Sequence, residues 1–193
     1  MSRRRLAITF VLAATAIGIL FVSVLATFYF TLCACFDPSN TPYTNVRTLA
    51  GINGEFAEPF GIAVKGSDNY VSDGETGKIW RFSHNSAPVE FASGFDTPSA
   101  IAFDKNGDLL VADTGSHTIK RIDKSGAVAI VAGTEGKFGD VDGAVSSARF
   151  NAPVGVAVRD DGAIIVADTY NDKIKVIQGG EVKTLSGSTR GFS

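Results

Sequence analysis

Two kinds of patterning divide the chain. Residues 6–32 contain no charged side chain and are almost continuously apolar, and about 20 such residues are enough to cross a bilayer as a helix. Beyond residue 44 the apolar positions come in short bursts of four to six, separated by Gly, Asn, Asp and Ser. Bursts this short, rich in Val, Ile and Phe, predict strands rather than helices.

The bursts repeat. First blocks are PFGIAV (59–64), PSAIAF (98–103) and PVGVAV (153–158), and second blocks are NYVSD (69–73), DLLVAD (108–113) and AIIVAD (163–168). Third blocks are KIWRF (78–82), TIKRI (118–122) and KIKVI (173–177). Fourth blocks are VEFASG (89–94), AIVAG (129–133) and VKTLSG (182–187). Asn106-Gly107 and Asp161-Gly162 separate first from second blocks, and Ser125-Gly126 and Gly179-Gly180 separate third from fourth. Such pairs supply the positive φ of tight hairpins, so each repeat is expected to be a four-stranded antiparallel meander.

Asp73, Asp113 and Asp168 mark the period, 40 and then 55 positions. About 40 residues make one propeller blade. The surplus is a single insertion, 136–150, expected to link two blades without disturbing either. A Phe stands three residues before each repeat's Pro: Phe56 and Pro59, Phe95 and Pro98, Phe150 and Pro153. The Pro can begin a strand without a ladder donor, and the Phe can plug the space between sheets. Gly61, Ala100 and Gly155, then Ala63, Ala102 and Ala157, suit innermost strands crowding an axis. The block NVRTLAG (45–51) reads as a fourth strand lacking its first three, a closing strand for the ring.

The pattern P-x-G-[IV]-A-V, hairpin, V-A-D-T-x-x-x-x-I, then a strand ending in A-G or S-G resembles the NHL repeat family of β-propellers. VADTGSHTIKRID and VADTYNDKIKVI carry the likeness, which covers 45–193; the first repeat departs from it, with Val71-Ser72-Asp73-Gly74. The resemblance implies an all-β fold of propeller blades. Complete NHL propellers resemble six-bladed discs, so three repeats imply either further blades in cis, the chain being truncated, or a homodimer of half-rings that buries the open flanks.

The amino-terminal pattern places the globular part. Arg3, Arg4 and Arg5 make 1–5 a basic stub expected in the cytoplasm by the positive-inside rule, with 6–32 as a transmembrane signal anchor, 33–44 as a linker and 45–193 extracytoplasmic. The apolar run exceeds the roughly 7 to 15 residues of a cleaved signal. Two alternatives remain: ordinary cleavage, and lipidation at Cys35, since Leu32-Cys33-Ala34-Cys35 resembles a lipoprotein processing box. Cys33 and Cys35 are the only cysteines, too few for a zinc site and badly spaced for a mutual disulfide.

Charge excludes one partner class. After the arginine cluster the chain has 15 basic and 20 acidic residues, a formal charge of −5, which gives nucleic acid no electrostatic footing.

The recurring Asp73, Asp113 and Asp168 are expected to be structural, each accepting hydrogen bonds from the turn that follows, with Thr114 and Thr169 assisting. Asp140 and Asp142 look like part of a calcium loop, yet Asn151 stands where a bidentate Glu would be needed. His84 and His117 show no triad order or paired spacing and are expected in solvated turns. Glu58 breaks the repeat, its equivalents being Thr97 and Ala152, and Glu58-Pro59 looks similar to the acidic metal ligand of gluconolactonase-type enzymes. Glu58, Asp140 and Asp142 are therefore the metal candidates. The expected function is a membrane-tethered propeller that binds or scaffolds a protein, glycan or small ligand without a cofactor. The alternative is a lactonase or lyase using a divalent metal such as calcium.

Overall fold

The protein is described by a computed structural model covering residues 47–84 and 86–187. The basic stub (1–5), the apolar span (6–32), the linker (33–44) and Cys35 lie outside these residues. Among the described residues, no helix is long and apolar enough to cross a membrane.

The fold is all-β. Strands β1 (Pro59–Lys65), β2 (Asp68–Asp73), β3 (Lys78–Ser83) and β4 (Val89–Ser93) form the first antiparallel meander. The second comprises β5 (Pro98–Phe103), β6 (Leu109–Asp113), β7 (Thr118–Ile122) and β8 (Val128–Ala132). The third has five strands: β10 (Pro153–Val158), β11 (Ile164–Asp168), β12 (Lys173–Gln178), β13 (Glu181–Ser186) and, at its outer edge, β9 (Gly143–Ala144). All three share irregularities at the same places. The register shifts just after Pro59, Pro98 and Pro153, and again between the third and fourth strands.

Two expectations are corrected. The insertion 136–150 does not merely link sheets: Gly143 pairs with Val182 and Ala144 with Glu181, covering the outer edge of the third sheet. An edge strand carries unpaired donors and acceptors that invite such a partner. Residues 47–51, the described part of the closing block, form no strand. Each of the three described sheets supplies its own fourth strand, β4, β8 or β13, so none of them takes this block.

The sheets stack with β5 beside both β1 and β10. One apolar cluster fills each junction. Tyr70, Ile79 and Ala92 of the first sheet meet Ile101, Leu109, Val111 and Ile122 of the second. Ala112, Ile119 and Ala132 of the second meet Val166, Ile177 and Val182 of the third, together with Ala148 and Phe150. The second sheet is covered on both faces, which explains why β6 reads LLVAD without polar alternation and is buried throughout. Core is made only between sheets, as in repeat folds.

Hydroxyls stitch the junctions near the innermost strands. Ser72 Oγ accepts from Gly61 N at 2.7 Å and donates to the Ser99 carbonyl at 2.6 Å. Thr114 Oγ1 donates to the Pro153 carbonyl at 2.7 Å. The approach is so close that a Cβ on Gly61 would lie 2.4 Å from Ser99 O.

Candidate functional site

The three recurring aspartates are fully buried, and each anchors the loop that leads into its own sheet. Asp73 accepts from Ala57 N and Glu58 N, both at 3.0 Å. Asp113 accepts from Asp96 N at 2.8 Å, and Asp168 from Asn151 N at 2.7 Å. The structural role expected from the sequence is thus present, but its direction differs. The recurring bond reaches back 15 to 17 residues to the segment after the Phe. The following turn contributes less regularly, through Thr76 N, Ser116 Oγ and the Asn171 amide. Thr114 serves the neighbouring sheet instead.

A second recurring position completes each carboxylate. The third residue of the third strand is Trp80, Lys120 or Lys175. Trp80 donates its indole N–H to Asp73 at 3.3 Å. Lys120 pairs with Asp113 at 2.6 Å and with Glu135 at 2.9 Å. Lys175, completely buried, lies 3.4 Å from Asp168 and donates to the Arg149 carbonyl at 3.0 Å. The repeat Phe packs on this residue every time: Phe56 edge-on to Trp80 at 6.3 Å, Phe95 under Lys120 at 5.6 Å and Phe150 under Lys175 at 5.5 Å. The two buried lysines escaped the sequence reading. Strand alternation puts Lys120 on the face of Ile122 and Lys175 on the face of Ile177, both buried, and that was the available signal.

The carboxylates respond differently to their surroundings. Burial pushes Asp73 up, but the N–H groups of Ala57, Glu58 and Thr76 outweigh it and hold the group below the usual carboxylate range. At Asp168 burial wins over Asn151, Asn171 and Lys175, and the group is raised. Burial pulls the Lys120 ammonium down, yet Asp113 and Glu135 together leave it raised.

The metal candidates fall in two places. Asp140 and Asp142 gather with Asp168 around Lys175, at 3.0, 3.4 and 3.4 Å, and Asp140 also pairs with Lys173. Asp142 accepts in addition from Thr184 N at 2.7 Å and from its hydroxyl at 3.1 Å. These contacts hold the insertion against β12 and β13. Glu58 is not brought to them. It lies exposed in an open groove of about 740 Å³ between the first and second sheets, lined also by Gly74, Glu75, Thr76, Asp96 and Thr97. Among the described residues, no three His, Cys, Asp or Glu side chains converge as a metal-holding group.

The groove explains the irregular first repeat. Gly74 replaces the Thr of the other repeats, and a Cβ there would stand 2.9 Å from Glu58 Oε2. Glu58 and Gly74 therefore break the pattern together, the small residue making room for the large one. Ser72 takes over the hydroxyl bridge that Thr114 makes in the next repeat.

His117 is half-buried rather than solvated. Its Nδ1 accepts from Ala152 N at 3.1 Å and its ring meets Phe138 edge-on, tying the second sheet to the loop before the third. Its φ of 60° repeats at Asp172 (56°) and Gly77 (64°), so the left-handed turn before the third strand is common to all three repeats.

Comparison with known proteins agrees with this repeat architecture. The NHL repeat family matches residues 95–122 and 150–177. The chain is 32% identical over 113 residues to Protein SUPPRESSOR OF QUENCHING 1, chloroplastic, of Arabidopsis thaliana, covering 58% of this chain and 10% of that protein. It is 36% identical over 109 residues to NHL repeat-containing protein 2 of Gallus gallus, covering 55% of this chain and 14% of that protein. The match thus spans a small part of either relative. A structural genomics protein of unknown function from Bacteroides thetaiotaomicron superposes with a TM-score of 0.61 at 18% identity, covering 68% of this chain and 36% of that one. A gluconolactonase from Xanthomonas campestris superposes with a TM-score of 0.56 at 14% identity, covering 68% and 48%. At these identities the structural likeness concerns the fold alone. Residues 95–122 and 150–177 are thus NHL repeats, and the stacked antiparallel sheets have the fold of β-propeller blades.

Proposed function

We propose that this chain is a membrane-tethered, extracytoplasmic binding or scaffold module for a protein, glycan or small ligand. One observation carries the reading: every recurring carboxylate is engaged by donors of its own blade. Asp73, Asp113 and Asp168 hold backbone N–H groups and meet Trp80, Lys120 or Lys175, so none is left as a free base or an open ligand. They rigidify a scaffold whose variable features are its loops, the arrangement on which binding surfaces are built. The groove beside Glu58 and Glu75 is the recess through which a ligand would be held. The charge-free segment 6–32 behind an arginine cluster supports the tether.

The rival reading is a lactonase or lyase using a divalent metal held at Glu58. It is favoured by the exposure of that carboxylate in the groove and by the shared fold with a gluconolactonase. Metal analysis of the purified chain and a lactone-hydrolysis screen, each repeated on Glu58→Gln, separate the two. The binding reading expects neither stoichiometric metal nor Glu58-dependent turnover, and expects glycan- or peptide-array capture that weakens in Glu75→Lys. Turnover that disappears in Glu58→Gln overturns it.

A further inference from the structure

The junction of the first and second sheets has a second opening. The Glu58 groove lies where β1 begins, and a smaller recess of about 70 Å³ lies where β1 ends at Lys65, beside Gly107 in the turn between β5 and β6. Aromatic rings wall it: Tyr70 meets Phe91 and Phe103 edge-on, at 5.1 and 5.0 Å. Lys65, Arg81 and Lys124 stand around it against one carboxylate, Asp123. That carboxylate is committed to its own turn, accepting from Ser125 N at 2.7 Å and Ala127 N at 3.0 Å. Among the described residues none of the three cations forms an ion pair, in a part of the chain where acidic side chains outnumber basic ones.

The cations are held in place. Lys65 Nζ donates to the Gly107 carbonyl at 2.7 Å and sits 4.9 Å over the Phe103 ring, while Arg81 lies 5.9 Å over Phe91. The Lys124 stem comes to the same glycine, its Cε lying 3.6 Å from where a Gly107 Cβ would be. A concave site lined by one sign of charge concentrates the opposite sign. Tyr70 supplies an observation independent of charge. It is 7% exposed, and among the described residues its hydroxyl has no hydrogen-bond partner. No fully buried side-chain oxygen or nitrogen is left unsatisfied there, so the hydroxyl reaches the recess that Tyr70 lines. A buried phenol ordinarily finds an acceptor, and here the acceptor has to enter the recess.

The repeat does not require this arrangement. One repeat on, the same positions are Asp104, Leu110, Arg121, Val131, Val158 and Gly179, with neither aromatic walls nor excess charge. We propose that the recess binds a phosphate group, free or carried as a monoester, with Lys65, Arg81 and Lys124 neutralising it and the Tyr70 hydroxyl donating to one of its oxygens. Such a group carries about −1.5 to −2 at neutral pH, matching three cations less one carboxylate. The recess has the volume of about two waters, room for the anion and not for a whole larger ligand. The site is independent of what the Glu58 groove binds.

Equilibrium dialysis of the full 193-residue chain in a phosphate-free detergent, against radiolabelled inorganic phosphate, tests this. The parent chain should take up one phosphate per chain, saturating at millimolar concentration. Tyr70→Phe keeps the ring and should weaken uptake about tenfold, since a hydrogen bond to a charged group is lost. Lys124→Gln, at an exposed position, should weaken it severalfold, and Lys183→Gln, a charge change away from the recess, should leave it unchanged. Far-UV circular dichroism checks that each variant keeps its strand content. Unlabelled glycerol 3-phosphate should displace the label; displacement at lower concentration than inorganic phosphate assigns the group to a larger molecule, the reverse order assigns the free ion, and both support the site. Absence of saturable uptake, an equal loss in Lys183→Gln, or full affinity in Tyr70→Phe would each overturn the proposal.

Discussion

At the scale of single residues, the central finding is a buried carboxylate that holds a loop rather than a ligand. Asp73 satisfies the N–H groups of Ala57, Glu58 and Thr76 and the indole of Trp80. Replacing it with Ala strips these donors of their shared buried acceptor, and a cost of about 2 kcal/mol is expected. Urea unfolding of Asp73→Ala against the parent chain measures it; a loss below about 1 kcal/mol would mean that the loop finds other partners. The aspartates stood out in the sequence because they recur without exception. Their lysine partners did not, because Lys120 and Lys175 are charged residues in half-polar strands, and charge alone reads as solvent exposure. Only the carboxylates brought in from other segments, Glu135 and Asp140 among them, make their burial tolerable.

At the scale of elements, every strand block of the three repeats was legible to within a residue or two, since alternation and Gly-containing turns are local signals. The features that went unread depend on distant partners. Residues 47–51 have a strand's composition but pair with none of the described sheets. Residues 143 and 144 look like loop, yet pair with β13 because Asp142 fixes the preceding turn to Thr184. The small residue at position 61 was read correctly as crowding, and the distance quantifies it. Gly61→Ala places a methyl 2.4 Å from the Ser99 carbonyl, and backbone cannot yield as a flexible side chain would. A loss of about 2 kcal/mol is expected. The same change at Gly155, where the nearest atom is the Ala167 methyl at 2.9 Å, should cost less; equal losses in thermal melts would contradict the crowding argument.

At the scale of the whole molecule, acid should weaken the fold through several carboxylates together. Lys173 holds Asp140 below the usual range, helped by Lys175 and opposed by burial. Burial raises Asp142, but Thr184 and Lys175 outweigh it and leave it lowered, as the backbone donors do for Asp73. For these three the folded value lies below the unfolded value of about 3.9. Their stabilisation is complete above that pH and is lost as pH falls through the lower folded values. Asp168 runs the other way: its raised folded value makes its contribution largest below about 3.9, and that contribution is lost as pH rises through the folded value. With three lowered groups opposing one raised group, the melting temperature should drop as pH falls below about 4. The drop should be smaller in Asp142→Asn, followed by circular dichroism. An unchanged drop would remove the insertion contacts from the account.

The anchoring of each lead-in loop to its own sheet also says where one blade ends and the next begins. The natural seam is not at the prolines, where the first strands start, but ahead of Phe56, Phe95 and Phe150, because those aromatic rings and the amides after them are gripped from within the blade that follows. An engineer shuffling blades between relatives should therefore cut just upstream of the phenylalanine, so that the transplanted cassette arrives with its own clasp already fastened.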